Sequence, residues 1–312
     1  MGGSLQVCGR AAPDTLVFVI LEASDRQASM VAVLYKDLAK KAEDVLKDDY
    51  DFSRKLKIKS KASNGVSFTT EGQLNTNKSI LAKVSGGFTH GQSGVVFKKL
   101  QVTTQGRLIT EAELPNVLTK GLNLTFKLED GSVAKHASAK QVGVVGAEFK
   151  QDKFSFNADA DFVGNSVKAA GVFVQDNFVV GGQVAFNVEK SALTEHNVGV
   201  SYAASDFATS VVTKKNFSAL SASFHHQLSK DTVYAAVLDY DLKSAANTLT
   251  VGGRFKADSE TTYAGKIDSE GFVSLASIQK IRPYVALTTS VHVDAKNFEG
   301  DAHKFGIGLT LG

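Results

Sequence analysis

Two periodicities divide the chain. Between Leu34 and Leu46 the apolar positions Leu34, Leu38, Ala42, Val45 and Leu46 fall at i, i+4, i+8, i+11 and i+12. That spacing follows the turn of a helix and predicts one amphipathic helix, with Lys36, Lys40, Glu43 and Lys47 on its other side. From Arg54 onward the period shortens to two. Lys55, Lys57, Lys59 and Lys61 alternate with Leu56, Ile58, Ser60 and Ala62. Asn64-Gly65 then marks a hairpin before Val66, Phe68 and Thr70 begin the return. Further on, Phe154, Phe156, Ala158, Ala160 and Phe162 oppose Lys153, Ser155, Asn157, Asp159 and Asp161. The last residues keep the rule, with Phe305, Ile307, Leu309 and Leu311 on one face and Lys304, Gly306, Gly308 and Thr310 on the other.

Turn signals such as Gln105-Gly106, Gly164-Asn165, Asp176-Asn177, Lys215-Asn216 and Glu270-Gly271 separate these runs. Cutting there and at weaker breaks gives about nineteen candidate strands between Lys55 and Leu311. No linker rich in Pro or Ser interrupts them, so residues 54–312 form one domain, preceded by a helical segment over residues 30–53. Residues 1–29 share neither period. Their apolar run Leu16–Leu21 is flanked by Asp14 and Glu22, and only Arg10 before it is basic, so it fits neither a secretory signal nor a matrix-targeting helix. They are expected to be an extension with no folding role, whose removal leaves activity unaltered.

So many strands with almost no helix restrict the architecture. A sandwich stops at seven to nine strands and a propeller needs repeats of about 40 residues, which are missing. An open sheet of this width leaves long unprotected edges, whereas closure into a barrel removes them. A barrel of sixteen or more strands is too wide to fill with side chains and encloses water. Its polar face then looks inward and its apolar face meets lipid. Apolar runs such as Val142–Ala147 and Val233–Leu238 are too short for a membrane-spanning helix, which needs about 20 residues. Membrane strands leave almost no hydropathy signal. The aromatics Phe68, Phe97, Phe126, Phe149, Phe207, Phe217 and Tyr284 suit interfacial girdles. The helix is expected to lie against a pore wall or a membrane surface.

Charge and candidate chemistry change this picture little. Lys and Arg number 35 against 32 Asp and Glu, a net charge of +3 that is too small to argue for nucleic-acid binding. The single Cys8 excludes a disulfide scaffold and cysteine-ligated metal. His225 and His226 point to opposite faces of one strand, and no HExxH spacing occurs. Gly306-x-Gly308 has no helix after it to receive a phosphate. The sequons at Asn77, Asn123 and Asn216 lie in or beside strands and are read as coincidental. No enzyme, metal site or cofactor is expected.

Three segments carry a family resemblance. Leu34-Tyr35-Lys36-Asp37-Leu38-Ala39-Lys40-Lys41-Ala42-Glu43-Asp44-Val45-Leu46 resembles the amino-terminal helix of the mitochondrial voltage-dependent anion channels, the eukaryotic porins. Lys120-Gly121-Leu122-Asn123-Leu124-Thr125-Phe126 is similar to a lysine-bearing strand of that family, and Ala302-His303-Lys304-Phe305-Gly306-Ile307-Gly308-Leu309 to its last strand. The resemblance runs from Met30 to Gly312. It implies an all-β fold, a single wide transmembrane barrel of about nineteen strands, an odd number known for mitochondrial porins, with the helix in the lumen. It implies a voltage-dependent, weakly anion-selective diffusion pore of the mitochondrial outer membrane for ATP, ADP, phosphate, small metabolites and ions. Its partners would be the lipid bilayer and the transported anions and nucleotides, with room for a homo-oligomer.

Wall-facing cations raise the local anion concentration in a wide pore. The candidates are Lys36, Lys40, Lys47, Arg54, Lys55, Lys57, Lys59, Lys61 and Lys120. The resemblance also implies nucleotide contacts at Lys40 and on Phe272-Val273-Ser274 and Ser290-Val291-His292-Val293-Asp294. A second helix contact falls at Asp48, with Lys47 adjacent, and Asn123 replaces the usual lysine. A membrane-facing glutamate of some animal members falls at Ser85, which argues against hexokinase-type docking. The alternatives are the related protein-import pore of the same membrane and a soluble all-β ligand-binding protein.

Overall fold

The computed structural model describes residues 33–74, 79–131 and 141–312. The expectations for residues 1–29, Met30 and Asn77 lie outside them. The strands run β1 (Arg54–Lys61), β2 (Ser67–Leu74), β3 (Ile80–Thr89), β4 (Val96–Thr103), β5 (Leu108–Leu114) and β6 (Leu122–Asp130). They continue as β7 (Val142–Lys150), β8 (Phe154–Asp161), β9 (Ser166–Gln175), β10 (Phe178–Asn187), β11 (Ala192–Ala203), β12 (Phe207–Lys214) and β13 (Ala219–Gln227). The last are β14 (Thr232–Asp241), β15 (Asn247–Lys256), β16 (Thr261–Asp268), β17 (Phe272–Arg282), β18 (Val285–Asp294) and β19 (Lys304–Leu311).

Each strand pairs antiparallel with the next in one 19-stranded sheet, and β1 pairs with β19 to close it. Because the number is odd, the first and last strands run the same way, so the seam is parallel, from Arg54↔Ile307 to Ile58↔Leu311. Closure leaves no sheet edge to aggregate. The turns form where the sequence provides residues that tolerate a left-handed backbone: Gly65 has φ +84° and Asn216 φ +58°.

Alternation sets the faces as expected. Leu56 and Ile58 are 45% and 44% exposed on the outside, while Lys55 on the same strand meets Glu71 inside. Aromatics crowd one end of the outer surface, where the β9–β10, β11–β12 and β13–β14 turns lie. Phe178, Tyr202, Phe207 and Phe224 form a chain with ring centroids 4.9, 5.7 and 6.3 Å apart, and Tyr284 lies at the same end. Phe126 is a mid-strand residue of β6, and Phe217 sits in the β12–β13 turn at the other end. The girdle is therefore denser at one end than the sequence suggests.

The helical segment lies inside the barrel, broken in two. A 3-10 turn covers Tyr35–Asp37, the chain breaks at Leu38–Ala39, and helix α1 covers Lys40–Lys47. The single helix expected over Leu34–Leu46 is corrected by this break, which lets the chain cross from the β9–β10 wall to the β13–β16 wall. All five stripe residues are nonetheless buried: Leu34, Leu38, Ala42, Val45 and Leu46. Leu38 and Tyr35 pack on Ala170, Val172, Val174 and Val179, and the α1 stripe packs on Val233, Ala235 and Val237. Here both faces of the wall are apolar, one towards lipid and one beneath the helix.

Candidate functional site

The lumen wall and the segment docked on it make the site. On β1, Lys55 and Lys57 lie opposite Gln73 and Glu71, and Lys59 and Lys61 continue the same inward face. Lys55 is tied by ion pairs to Asp51 (2.7 Å) and Glu71 (3.5 Å), and Glu71 is shared with Lys83 (3.0 Å). Among the described residues no ion pair within 4.0 Å engages Lys57, Lys59 or Lys61. Within the β1 row the lysines without an ion pair are therefore these three.

Arg54 is corrected. It has the parity of Leu56 and Ile58 and borders an outer groove with Leu74, Ile307 and Leu309, so it lies off the lumen face. Lys120 is corrected too, because it sits in the turn before β6 and not on the wall. Asn123, on the inner face of β6, accepts a hydrogen bond from the Asn116 amide (3.1 Å) and shapes that turn. Ser85 is also inward, its hydroxyl donating to the Thr69 carbonyl (3.3 Å), so it is no membrane-facing position.

Three helix lysines are paired in the lumen, Lys36 with Glu148 (2.9 Å), Lys40 with Asp37 (3.5 Å) and Lys47 with Glu43 (2.6 Å), while Lys41 has no ion pair among the described residues. Burial disfavours the charge on Lys36, but the hydrogen bond and attraction of Glu148, with Asp37 and Asp159, outweigh it and raise its pKa. The sequence placed Asp159 and Asp161 on the polar face, but the acidic arc they belong to was not expected. Glu111 and Glu113 on β5, Glu129 on β6, Glu148 on β7 and Asp159 and Asp161 on β8 share the inner face. Glu113 and Glu129 pair with Lys98 and Arg107. A recess of about 490 Å³ opens here between Lys36 and this arc. Applying the parity of Lys55 to each hairpin in turn finds these acids.

The linker from α1 to β1 is clamped to the wall. Lys266 donates to the last-turn carbonyl of Leu46 (2.7 Å) and lies 4.5 Å from the Tyr50 ring centroid; Arg254 pairs with Asp49 at 2.8 Å. Ser290 donates to the Asp51 carbonyl. Burial would raise the Asp51 pKa, but hydrogen bonds from Lys55 and Ser53 lower it overall. Sequence reasoning missed Lys266 and Arg254, for which only alternation within β15 and β16 was a signal.

The nucleotide candidates divide by parity. Phe272, Ser274, Ser290, His292 and Asp294 face inward, whereas Val273, Val291 and Val293 face lipid and are corrected. Ser290 is covered by Asp51, and Ser274 bonds to His292 Nδ1 (2.9 Å). The His292 ring lies between Phe272 (5.1 Å) and Phe52 (5.2 Å). Lys40, though paired to Asp37, remains exposed to the lumen.

A closed barrel with lipid-compatible sides and a charged, water-accessible inside defines a membrane pore. The chain belongs to the eukaryotic porin family, whose model matches residues 31–306. A relative from Xenopus laevis, "Non-selective voltage-gated ion channel VDAC2", is 31% identical, covering 89% of this chain and 98% of its own. "Non-selective voltage-gated ion channel VDAC1" of Rattus norvegicus is 28% identical, covering 88% and 96%. A solved variant of Rh. blastica porin aligns with 77% of this chain and 96% of its own at TM-score 0.48 and 10% identity, too low to carry any conclusion.

Proposed function

We propose that this chain is a voltage-dependent diffusion pore of the mitochondrial outer membrane for ions and small metabolites, with a weak preference for anions. Membership of the porin family over nearly the whole chain, joined to a closed barrel with a polar lumen, supports the pore itself. One observation supports the anion preference: Lys57, Lys59 and Lys61 present unpaired positive charge along one strand of the wall. The unpaired Asp159 and Asp161 on β8 oppose it, which keeps the preference weak and admits cations.

Anionic metabolites such as ATP, ADP and phosphate would be drawn towards β1 and pass Lys40. Weak binding suits conduction, since a tightly held ion or metabolite leaves slowly. Proteoliposomes loaded with ATP and a large dextran test this reading. The pore releases ATP and keeps the dextran; retention of both would overturn it.

A further inference from the structure

We infer that a pair of glycines on the barrel wall, Gly181 and Gly199, is the seat that fixes the lumen helix in position and so sets the open width of the pore. Gly181 on β10 lies directly opposite Gly199 on β11. Their outer neighbours in the same row are Val172 on β9 and Val212 on β12. All four positions face inward. Two positions without side chains, flanked by two branched ones, make a notch about two strands wide, since neighbouring strands lie about 4.8 Å apart.

Tyr35 and Leu38 fill that notch. A Cβ at Gly199 would stand 3.0 Å from Leu38 Cδ1, 3.1 Å from Val212 Cγ2 and 3.4 Å from Tyr35 Cε2. At Gly181 it would meet Val172 Cγ2 at 2.8 Å, the Gly171 carbonyl at 3.0 Å and Tyr35 Cδ2 at 3.1 Å. The ring thus packs on bare backbone, an approach that only glycine permits. Tyr35 Oη has no hydrogen-bond partner among the described residues, so the seat holds the ring by shape and not by its hydroxyl. The segment's far end uses the same device. A Cβ at Gly306 would run into the Asp51 carbonyl and come within 2.7 Å of Phe52 Cα.

A helix held at fixed points on the wall occupies a constant share of the lumen. Steric occupation of the seat would free it to sample the pore. The lipid-facing Gly182, on the same strand, has nothing nearer its Cβ position than the Asn197 carbonyl at 3.7 Å, and it provides a matched control.

The inference rests on the pore reading, and the experiment separates the two. In full-length protein carrying Cys8→Ser and Ala42→Cys, the thiol is buried under α1 when the helix is docked. Its labelling rate by a water-soluble maleimide is measured in proteoliposomes, beside voltage-dependent conductance. Gly199→Val should raise the labelling rate about tenfold or more, as overpacking of a filled site does, and shift the closing voltage. Gly182→Val should change neither, Tyr35→Phe should change neither, and adding Leu38→Ala to Gly199→Val should restore protection. Circular dichroism checks that the barrel is intact; should Gly199→Val lose strand content, Gly199→Ala is read in the same way. Unchanged protection and gating in the folded Gly199 variant would overturn the seat, as would an equal effect of Gly182→Val. Absence of conductance in the parent protein would overturn the pore reading instead.

Discussion

At the scale of single residues, selectivity is decided by which charges remain unpaired. Lys55 belongs to the row that the sequence singled out, yet Asp51 and Glu71 neutralise it; Lys57, Lys59 and Lys61 stay free. Reversing these three to Glu should therefore carry the reversal potential in a salt gradient across zero, from anion to cation preference. Changing Asp159 and Asp161, which no ion pair within 4.0 Å engages among the described residues, to Asn should move it the other way and strengthen anion preference. The same recordings check both variants, and an unchanged reversal potential would remove either group from the account. The inward row was legible in the sequence because a strand's period of two is rigid. Arg54 was misplaced because adjacency in sequence was allowed to override that same alternation, and partners such as Glu71 depend on pairing register, which the pattern does not specify. Asp51 adds a pH prediction. Its folded pKa is depressed, so its tie to Lys55 is present above the ordinary aspartate value, about 4, and is lost as pH falls through the lower folded value. Closing voltage should not change between pH 5 and 8 on account of this contact, and Asp51→Asn at neutral pH should weaken the linker as strong acid does.

At the scale of elements, the helical segment shows what a hydrophobic stripe can and cannot reveal. The stripe correctly marked Leu34, Leu38, Ala42, Val45 and Leu46 as one buried face. It did not reveal the change from 3-10 turn to α-helix at Leu38–Ala39, where the two parts pack on different strands. The covering partner was half-visible in Val233–Leu238, where alternation fails. Val233, Ala235 and Val237 pack against α1 while Tyr234 and Leu238 face lipid. An apolar run inside an alternating barrel thus marks a lumen surface that something covers. Leu46→Ala removes a buried side chain worth about 2–5 kcal/mol in a well-packed site. It should expose the Ala42→Cys thiol to labelling while leaving strand content by circular dichroism unchanged. Lys266→Ala, which removes the donor to the Leu46 carbonyl, should loosen the same end of the helix by a smaller amount, near the ~1.5–3 kcal/mol of a charged hydrogen bond.

At the scale of the whole molecule, closure organises everything else. Nineteen strands paired in sequence order can bury their backbone groups only by pairing the first with the last, and the odd number makes that pairing parallel. The many-stranded pattern was legible because turn residues such as Asn64-Gly65 and Lys215-Asn216 agree with the alternation on either side of them. The parallel seam was not, since β1 and β19 lie at opposite ends of the domain and share no turn. On the proposed reading this lumen conducts, and its mixed wall keeps the selectivity weak. The most direct measurement is of purified protein in a planar bilayer, recording conductance steps and reversal potential across a salt gradient while the voltage is stepped. The account predicts large steps, partial closure at higher potentials and a small anion-preferring reversal potential. Folded protein that inserts without conducting, or a cation-preferring pore that presequence peptide blocks, would contradict it.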